Sequence, residues 1–282
     1  MKKLALVLVI ASMWLLSCGG EDGDETPTSD VTQGDTVAQD DVADDDAESD
    51  DAANPAGTCP NLPNLTGRVY RVTSIVATDP TDQVNEVWQT DIENYDLVLI
   101  FHITNHDQAA QTAVIEVTSG LAEKEKSGDD WLLKSFQYAL EPSVFTATVK
   151  GCNFGWTDPI ELNIQTPTVS KPFHIFGIEG NGRFNEDGTQ ILDTWLEGAI
   201  LEKEAFDLCL LFPALGVVNF HWFMNMAYLC PTFDSDGDST IDSYKFKGKI
   251  EAVEETELFK EGITPIESQV TECQVDDKTC VP

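Results

Sequence analysis

The chain has 282 residues, 50 of them acidic and 16 basic, for a formal net charge of −34, while 41% are hydrophobic. So negative a polypeptide repels phosphate backbones and anionic lipid headgroups, which excludes nucleic acid as a partner and leaves cations or cationic surfaces as complements. The apolar fraction is still large enough to fill a core, even though residues 57–282 alone carry a net charge of −22.

The first elements are Met1-Lys2-Lys3, an apolar run over residues 4–16, and Leu15-Leu16-Ser17-Cys18-Gly19-Gly20. The lysines supply the positive end of an export signal, and the apolar run is too short to cross about 30 Å of hydrocarbon as a lasting helix. Leu15 to Cys18 resembles the lipobox of bacterial lipoproteins. That resemblance implies removal of residues 1–17, a diacylglyceryl group on the Cys18 thiol and a palmitate-type chain on its amine. Several acyl chains anchor stably where one does not, so the chain is expected to be tethered to the membrane rather than to span it. Gly19 in place of an aspartate after the cysteine implies the outer membrane, in a cell that has one.

Residues 19–56 carry 14 Asp or Glu and no aromatic residue, lysine or arginine. Dense like charge at low hydropathy cannot bury a core and favours an extended, disordered chain. Residues 18–56 are therefore expected to be a lipidated cysteine followed by an acidic spacer, with one folded domain over 57–282.

Within that domain, residues 68–76, 97–103, 113–117, 144–149, 160–164, 173–178, 189–195 and 243–253 are rich in β-branched and aromatic residues with partial alternation, which predicts strands. Gly180-Asn181-Gly182 and Glu186-Asp187-Gly188 read as hairpin turns. The fold class expected is mainly β, an antiparallel sandwich or barrel. Two segments depart from this. Val84, Trp88, Ile92 and Tyr95 recur at helical spacing behind Thr81 and Asp82, predicting an amphipathic helix over one end of the sheets. Residues 201–230 are strongly apolar, and Pro213 and Gly216 divide them into two predicted helices. This insertion is expected to pack onto the sheet; the alternatives are a lid over an apolar ligand cavity or an exposed patch for a partner.

Setting Cys18 aside leaves Cys59, Cys152, Cys209, Cys230, Cys273 and Cys280, an even set in an exported chain, and three disulfides are expected. Spacing alone does not choose the pairing. Cys209 with Cys230 would bracket the insertion, Cys273 with Cys280 would close a short acidic loop, and Cys59 with Cys152 would remain.

Asp234-Ser235-Asp236-Gly237-Asp238-Ser239-Thr240-Ile241-Asp242 places carboxylates at loop positions 1, 3, 5 and 9. Alternate carboxylates on a tight loop converge on a hard cation that takes six to eight oxygens at about 2.4 Å. The segment resembles the Asp-rich calcium loops of EF-hands, dockerins and thrombospondin type 3 repeats. The resemblance implies a structural calcium held by Asp234, Asp236, Asp238, the Thr240 carbonyl and Asp242. Ser239 stands where an EF-hand has glycine, and Lys245 where it has a bidentate glutamate. The loop is therefore of a non-EF type, with an affinity on the order of 10⁻⁴ to 10⁻³ M. The whole layout is similar to that of a class of exported, acidic-tethered bacterial lipoproteins, which implies an arrangement and no reaction.

The sequence has no G-x-S-x-G, H-E-x-x-H, P-loop or dinucleotide fingerprint. His102 and His106 lie about 13 Å apart if their segment is a strand, so each reads as structural. His221 falls inside the apolar insertion as a buried polar or ligand-facing group. Glu161, Asp193 and Glu197 would make a glycosidase pair only at the right separation. The expectation is a non-enzymatic, lipid-anchored envelope protein with a calcium loop, presenting a β-rich domain to a protein or other envelope partner. The alternative is a carrier of an apolar ligand in a barrel lidded by 201–230, and a cell-envelope hydrolase comes third.

Overall fold

The computed structural model describes residue 59 and residues 62–79, 85–212, 216–226, 230–234, 239–270 and 272–273, all within the unit 54–282. In chain order its elements are β1 (Val69–Asp79), α1 (Asn85–Glu93), β2 (Val98–Asp107), β3 (Thr112–Ser127), β4 (Asp130–Tyr138), β5 (Ser143–Lys150), β6 (Asn153–Ile164), β7 (Phe173–Phe184) and β8 (Gln190–Leu201). There follow α2 (Glu202–Asp207), β9 (Cys209–Phe212), β10 (Gly216–Asn219), α3 (Phe220–Met226), β11 (Ser243–Glu254), a 3-10 turn (Thr256–Leu258) and β12 (Phe259–Ile263). Among the described residues no helix is long and apolar enough to cross a membrane.

Of the sandwich and the barrel, the chain forms the barrel. Strands pair in the order β3-β2-β1-β11-β8-β7-β6-β5, and β5 returns to β3, closing eight antiparallel strands. Alternation drives the closure: in β5, Phe145, Ala147 and Val149 are buried, while Val144, Thr146 and Thr148 face out. At sixteen residues, β3 is twice as long as β5, so its second half leaves the barrel to pair with β4, and β12 joins β4 in parallel. Gly120 permits this departure, because a Cβ there would lie 2.5 Å from Ile100 Cδ1 and 2.8 Å from the Gln137 carbonyl. Ile100, Val98 and Val69 form a second, smaller core on the outer wall with Leu133, Phe136 and Tyr138.

The interior is filled by large side chains. Phe145 meets Trp156 at 4.6 Å between centroids, and Phe154 meets Phe184 at 4.8 Å. The chain also covers both mouths. At one, residues 62–68 cross the opening with Leu65 fully buried; the Leu65 N–H donates to His106 Nδ1, the Gln108 amide donates to the Leu62 carbonyl, and Cys59 is bonded to Cys152. At the other, Ala205, Leu208, Val218, Phe220, Phe223 and Met224 join the same core, so the apolar insertion packs onto the barrel as expected.

Helix α1 fills a wedge in the wall. Only Val69, Tyr70 and Arg71 of β1 pair with β2, and beyond them the edge of β1 is taken up by the helix. The Asn85 carboxamide accepts from the Ala77 N–H at 2.7 Å and donates to its carbonyl at 2.9 Å, standing in for a neighbouring strand. The predicted helix is shorter than its sequence pattern, and residues 80–84 lie outside the described residues.

Three expectations are corrected. Gly180-Asn181-Gly182 is no turn but part of β7; a Cβ on Gly180 would lie 2.5 Å from the Trp156 ring and 2.8 Å from the Trp195 carbonyl, so these glycines serve close packing. Glu186-Asp187-Gly188 does form the β7–β8 turn, with Gly188 at φ +70°. Second, the insertion is not simply a helix pair: between α2 and α3 runs the β9–β10 hairpin, in register from Cys209 with Asn219 to Phe212 with Gly216. Third, Cys209 pairs with Cys273, not with Cys230, which also removes the pairing of Cys273 with Cys280. The C-terminal stretch runs back across the second mouth, where Gln165 donates to the Ile266 carbonyl and the Gln269 N–H donates to that of Pro167. This path carries Cys273 to within 5.7 Å of Cys209, Cα to Cα, a proximity that sequence spacing hides. Cys230 is disulfide-bonded as well, and Cys280 lies outside the described residues.

Candidate functional site

The Asp-rich segment leaves the barrel at the second mouth. Its base is an antiparallel bridge in which the Phe233 and Ser243 backbones exchange hydrogen bonds of 3.1 and 3.0 Å. Asp234 Oδ2 accepts the Ser239 N–H at 2.8 Å, and Ser239 sits at φ +72°, the left-handed conformation that glycine adopts at the sixth position of a calcium loop. Asp242 Oδ1 accepts from the Ser243 hydroxyl at 2.9 Å. Of the remaining proposed ligands, Thr240 is described, whereas Asp236 and Asp238, like Cys18, lie outside the described residues. Lys245, at the twelfth position, points instead to Glu197 at 2.6 Å, and that hydrogen bond raises the lysine's pKa. Ile241 is 60% exposed. Among the described residues there is no group of three or more metal-ligating side chains. The turn conformation and the Asp234 carboxylate suit a cation, and the coordination would have to be completed by Asp236 and Asp238.

Sequence reasoning missed what adjoins this loop. Glu202 opens α2 with its N–H on the Asp242 carbonyl at 2.8 Å, and its Oε1 lies 3.2 Å from Nε2 of His221, which is fully buried and stacked on Phe206 at 3.9 Å. Next to them Tyr244 points into the barrel. Its hydroxyl is buried with no hydrogen-bond partner among the described residues, and burial, followed by the Glu202 charge, pushes its pKa well up. No periodicity connects positions 202, 221 and 244, so no sequence signal would have joined them.

The other candidate residues are dispersed. His106 is buried on a backbone N–H, and burial lowers its pKa, which is the structural role expected. His102 lies on the outer wall with Nδ1 2.7 Å from the Tyr138 oxygen, and Tyr138 donates to Glu116 at 2.7 Å. Glu161 lies beside His174 at 3.6 Å. Asp193 holds Arg183 at 2.8 Å and Lys249 at 2.5 Å. Hydrogen bonds from Lys249 and Arg183 hold Asp193 below the usual carboxylate range, and one from Lys245 does the same for Glu197. A glycosidase acid needs its pKa raised, so neither carboxyl suits that part.

Fold and site together define a closed, antiparallel eight-stranded β-barrel capped by a disulfide-tied helix-and-hairpin insertion. Comparison with protein-family models, with curated proteins and with solved structures returned no match.

Proposed function

We propose that this chain is a lipid-anchored, non-enzymatic envelope protein, tethered through Cys18, whose barrel is a rigid scaffold presenting its outer wall to a partner. The observation that carries this reading is the interior itself: aromatic side chains fill it, and the chain's own residues cover both mouths, so recognition falls to the outside. In this reading a calcium ion binds at the second mouth to a loop whose Ser239 turn the polypeptide itself holds, with Asp234, Asp236, Asp238, the Thr240 carbonyl and Asp242 as ligands. Support for the ion comes from the Ser239 turn and its bond to Asp234. The test is thermal unfolding of the full chain in millimolar calcium and in chelator, with mass spectrometry of the N-terminal peptide for acylation. Calcium should raise the midpoint in the parent and not in Asp234→Ala, because a ligand bound only to the folded state stabilises by RT ln(1 + [L]/Kd). An unacylated Cys18 or a calcium-independent melt counts against the reading.

One observation favours a second reading, the carrier of an apolar ligand. The Tyr244 hydroxyl is buried in the interior with no hydrogen-bond partner among the described residues, and an orphaned polar atom of that kind is what the head of a bound molecule would satisfy. Lipid retained through purification, or stoichiometric binding of a hydrophobic fluorophore, would support the carrier and overturn the scaffold.

A further inference from the structure

The pairing register aligns one residue from each of six strands in a single row across the outer wall: Val76 of β1, Lys249 of β11, Trp195 of β8, Asn181 of β7, Gly155 of β6 and Thr148 of β5. Trp195 is 40% exposed at the centre of this row, a large aromatic surface left to solvent in a barrel that buries most of its others. On either side along the strands are ion pairs. Asp193 binds Lys249 and Arg183, Glu197 binds Lys245 at 2.6 Å, and Lys247 lies 5.9 Å from the indole centroid and 3.8 Å from Glu197. Gly155 brings no side chain to the row, and a Cβ there would come within 3.3 Å of Asn181 Cβ, so the wall dips beside the asparagine.

A second feature converges on the same place. Asp193 has φ +49° in the middle of a strand, a conformation that a non-glycine residue seldom adopts, and the β8 pairings with both β7 and β11 shift register around it. Bulges re-aim side chains, and strained backbone gathers at binding sites. Here the bulge sets a carboxylate between two cations, Arg183 and Lys249, two residues before the exposed indole in the same strand.

The chemistry selects among partners. A protein partner is held best where several anchors share one desolvated centre, yet Lys249 separates Val76 from Trp195. A polyanion would require surplus cations, but Arg183, Lys245, Lys247 and Lys249 are matched in number by Asp193, Glu197, Glu251 beside Lys249, and Glu179 opposite Glu197 in the pairing register. An indole ringed by an amide and self-compensated ion pairs matches a ligand that is apolar on one face, uncharged and rimmed with hydroxyls.

We propose that this row is a binding site for a neutral, pyranose-based glycan, one sugar ring stacking on Trp195 while its hydroxyls bond to Asn181 and to the Asp193–Lys249 and Glu197–Lys247 groups. The proposal rests on the reading that the outer wall is the presenting surface.

The test uses the full chain in a detergent without a sugar headgroup, titrated with cellohexaose, chitohexaose and mannohexaose, and with polygalacturonate as the polyanion. At least one neutral hexasaccharide should bind saturably. Affinity should fall about tenfold or more in Trp195→Ala, and should fall in Asn181→Ala. Trp131→Ala, which removes another exposed tryptophan, should bind as the parent does. Thermal melts run alongside verify that each variant is folded. The proposal is overturned if the folded parent binds no neutral hexasaccharide, if Trp195→Ala binds undiminished, or if polygalacturonate alone binds. A hydrophobic fluorophore in the same samples separates the two failures: stoichiometric uptake removes the scaffold reading, whereas no uptake and no glycan binding removes only the glycan.

Discussion

Cys209, at the start of the cap hairpin, is bonded to Cys273, 64 residues further on, so the insertion over the second mouth and the C-terminal stretch that crosses it are one covalent unit. A cross-link over a loop of this length restricts the unfolded chain strongly. Replacing both residues by alanine should lower unfolding free energy by about 2–5 kcal/mol in denaturant titrations. Exchange of the buried amides around Leu208 and Val218 should quicken before that of β2 and β3.

Asp91, in the last turn of α1, should give stability an unusual pH dependence. Burial, then the Asp96 charge, raises its carboxyl from the ordinary value to about 6. The folded state therefore holds a proton between about pH 4 and 6 that the unfolded state has released, so this group's contribution to stability declines as pH rises through that window. Asp91→Asn keeps a hydrogen-bonding group for Thr168 without the charge. It should stabilise the chain at pH 7 by about 1–2 kcal/mol and remove the decline between pH 4 and 6. Unfolding free energies of parent and variant at pH 4 and 7 check both points.

The Asn85 carboxamide serves both backbone groups of Ala77 where β1 has no strand neighbour. Asn85→Ala leaves a backbone N–H and carbonyl with no protein partner, at a cost of about 1–3 kcal/mol. Hydrogen exchange at Ala77 that quickens by more than the global loss read at the amides of β11 would place the loss at this edge. A global loss of protection with no local excess would show that the helix does more than cap it.

What the sequence disclosed follows what is local. The eight barrel strands were legible because Phe145, Ala147 and Val149 alternate with outward residues, and the helix because Trp88 and Ile92 share one face. β4 was missed because its exposed half, Trp131 and Leu132 included, has no buried stripe to alternate against. β12 was missed because only its first residue packs, against Phe136 and Tyr138. The glycines of β7 misled because a residue that suits a turn also suits close approach, and only Trp156 and Trp195 reveal which applies. The Trp195 row is set by register between strands far apart in sequence, which no local pattern carries.

Ser239 supplies the last prediction. Its φ of +72° costs a serine about 1 kcal/mol relative to glycine, less what glycine gains in the unfolded chain. The bond from its N–H to Asp234 and the Phe233–Ser243 bridge fasten this turn within the polypeptide itself. Ser239→Gly should therefore raise stability by up to about 0.5 kcal/mol in calcium and in chelator alike, while Ser239→Val should lower it in both. If glycine helps only when calcium is present, the turn is made by the ion and not by the fold. Thermal melts of the three chains with and without calcium distinguish these cases. In Asp234→Ala the fastening bond is lost along with a ligand, so the benefit of Ser239→Gly should shrink in that background, a coupling that a double-mutant cycle reads directly.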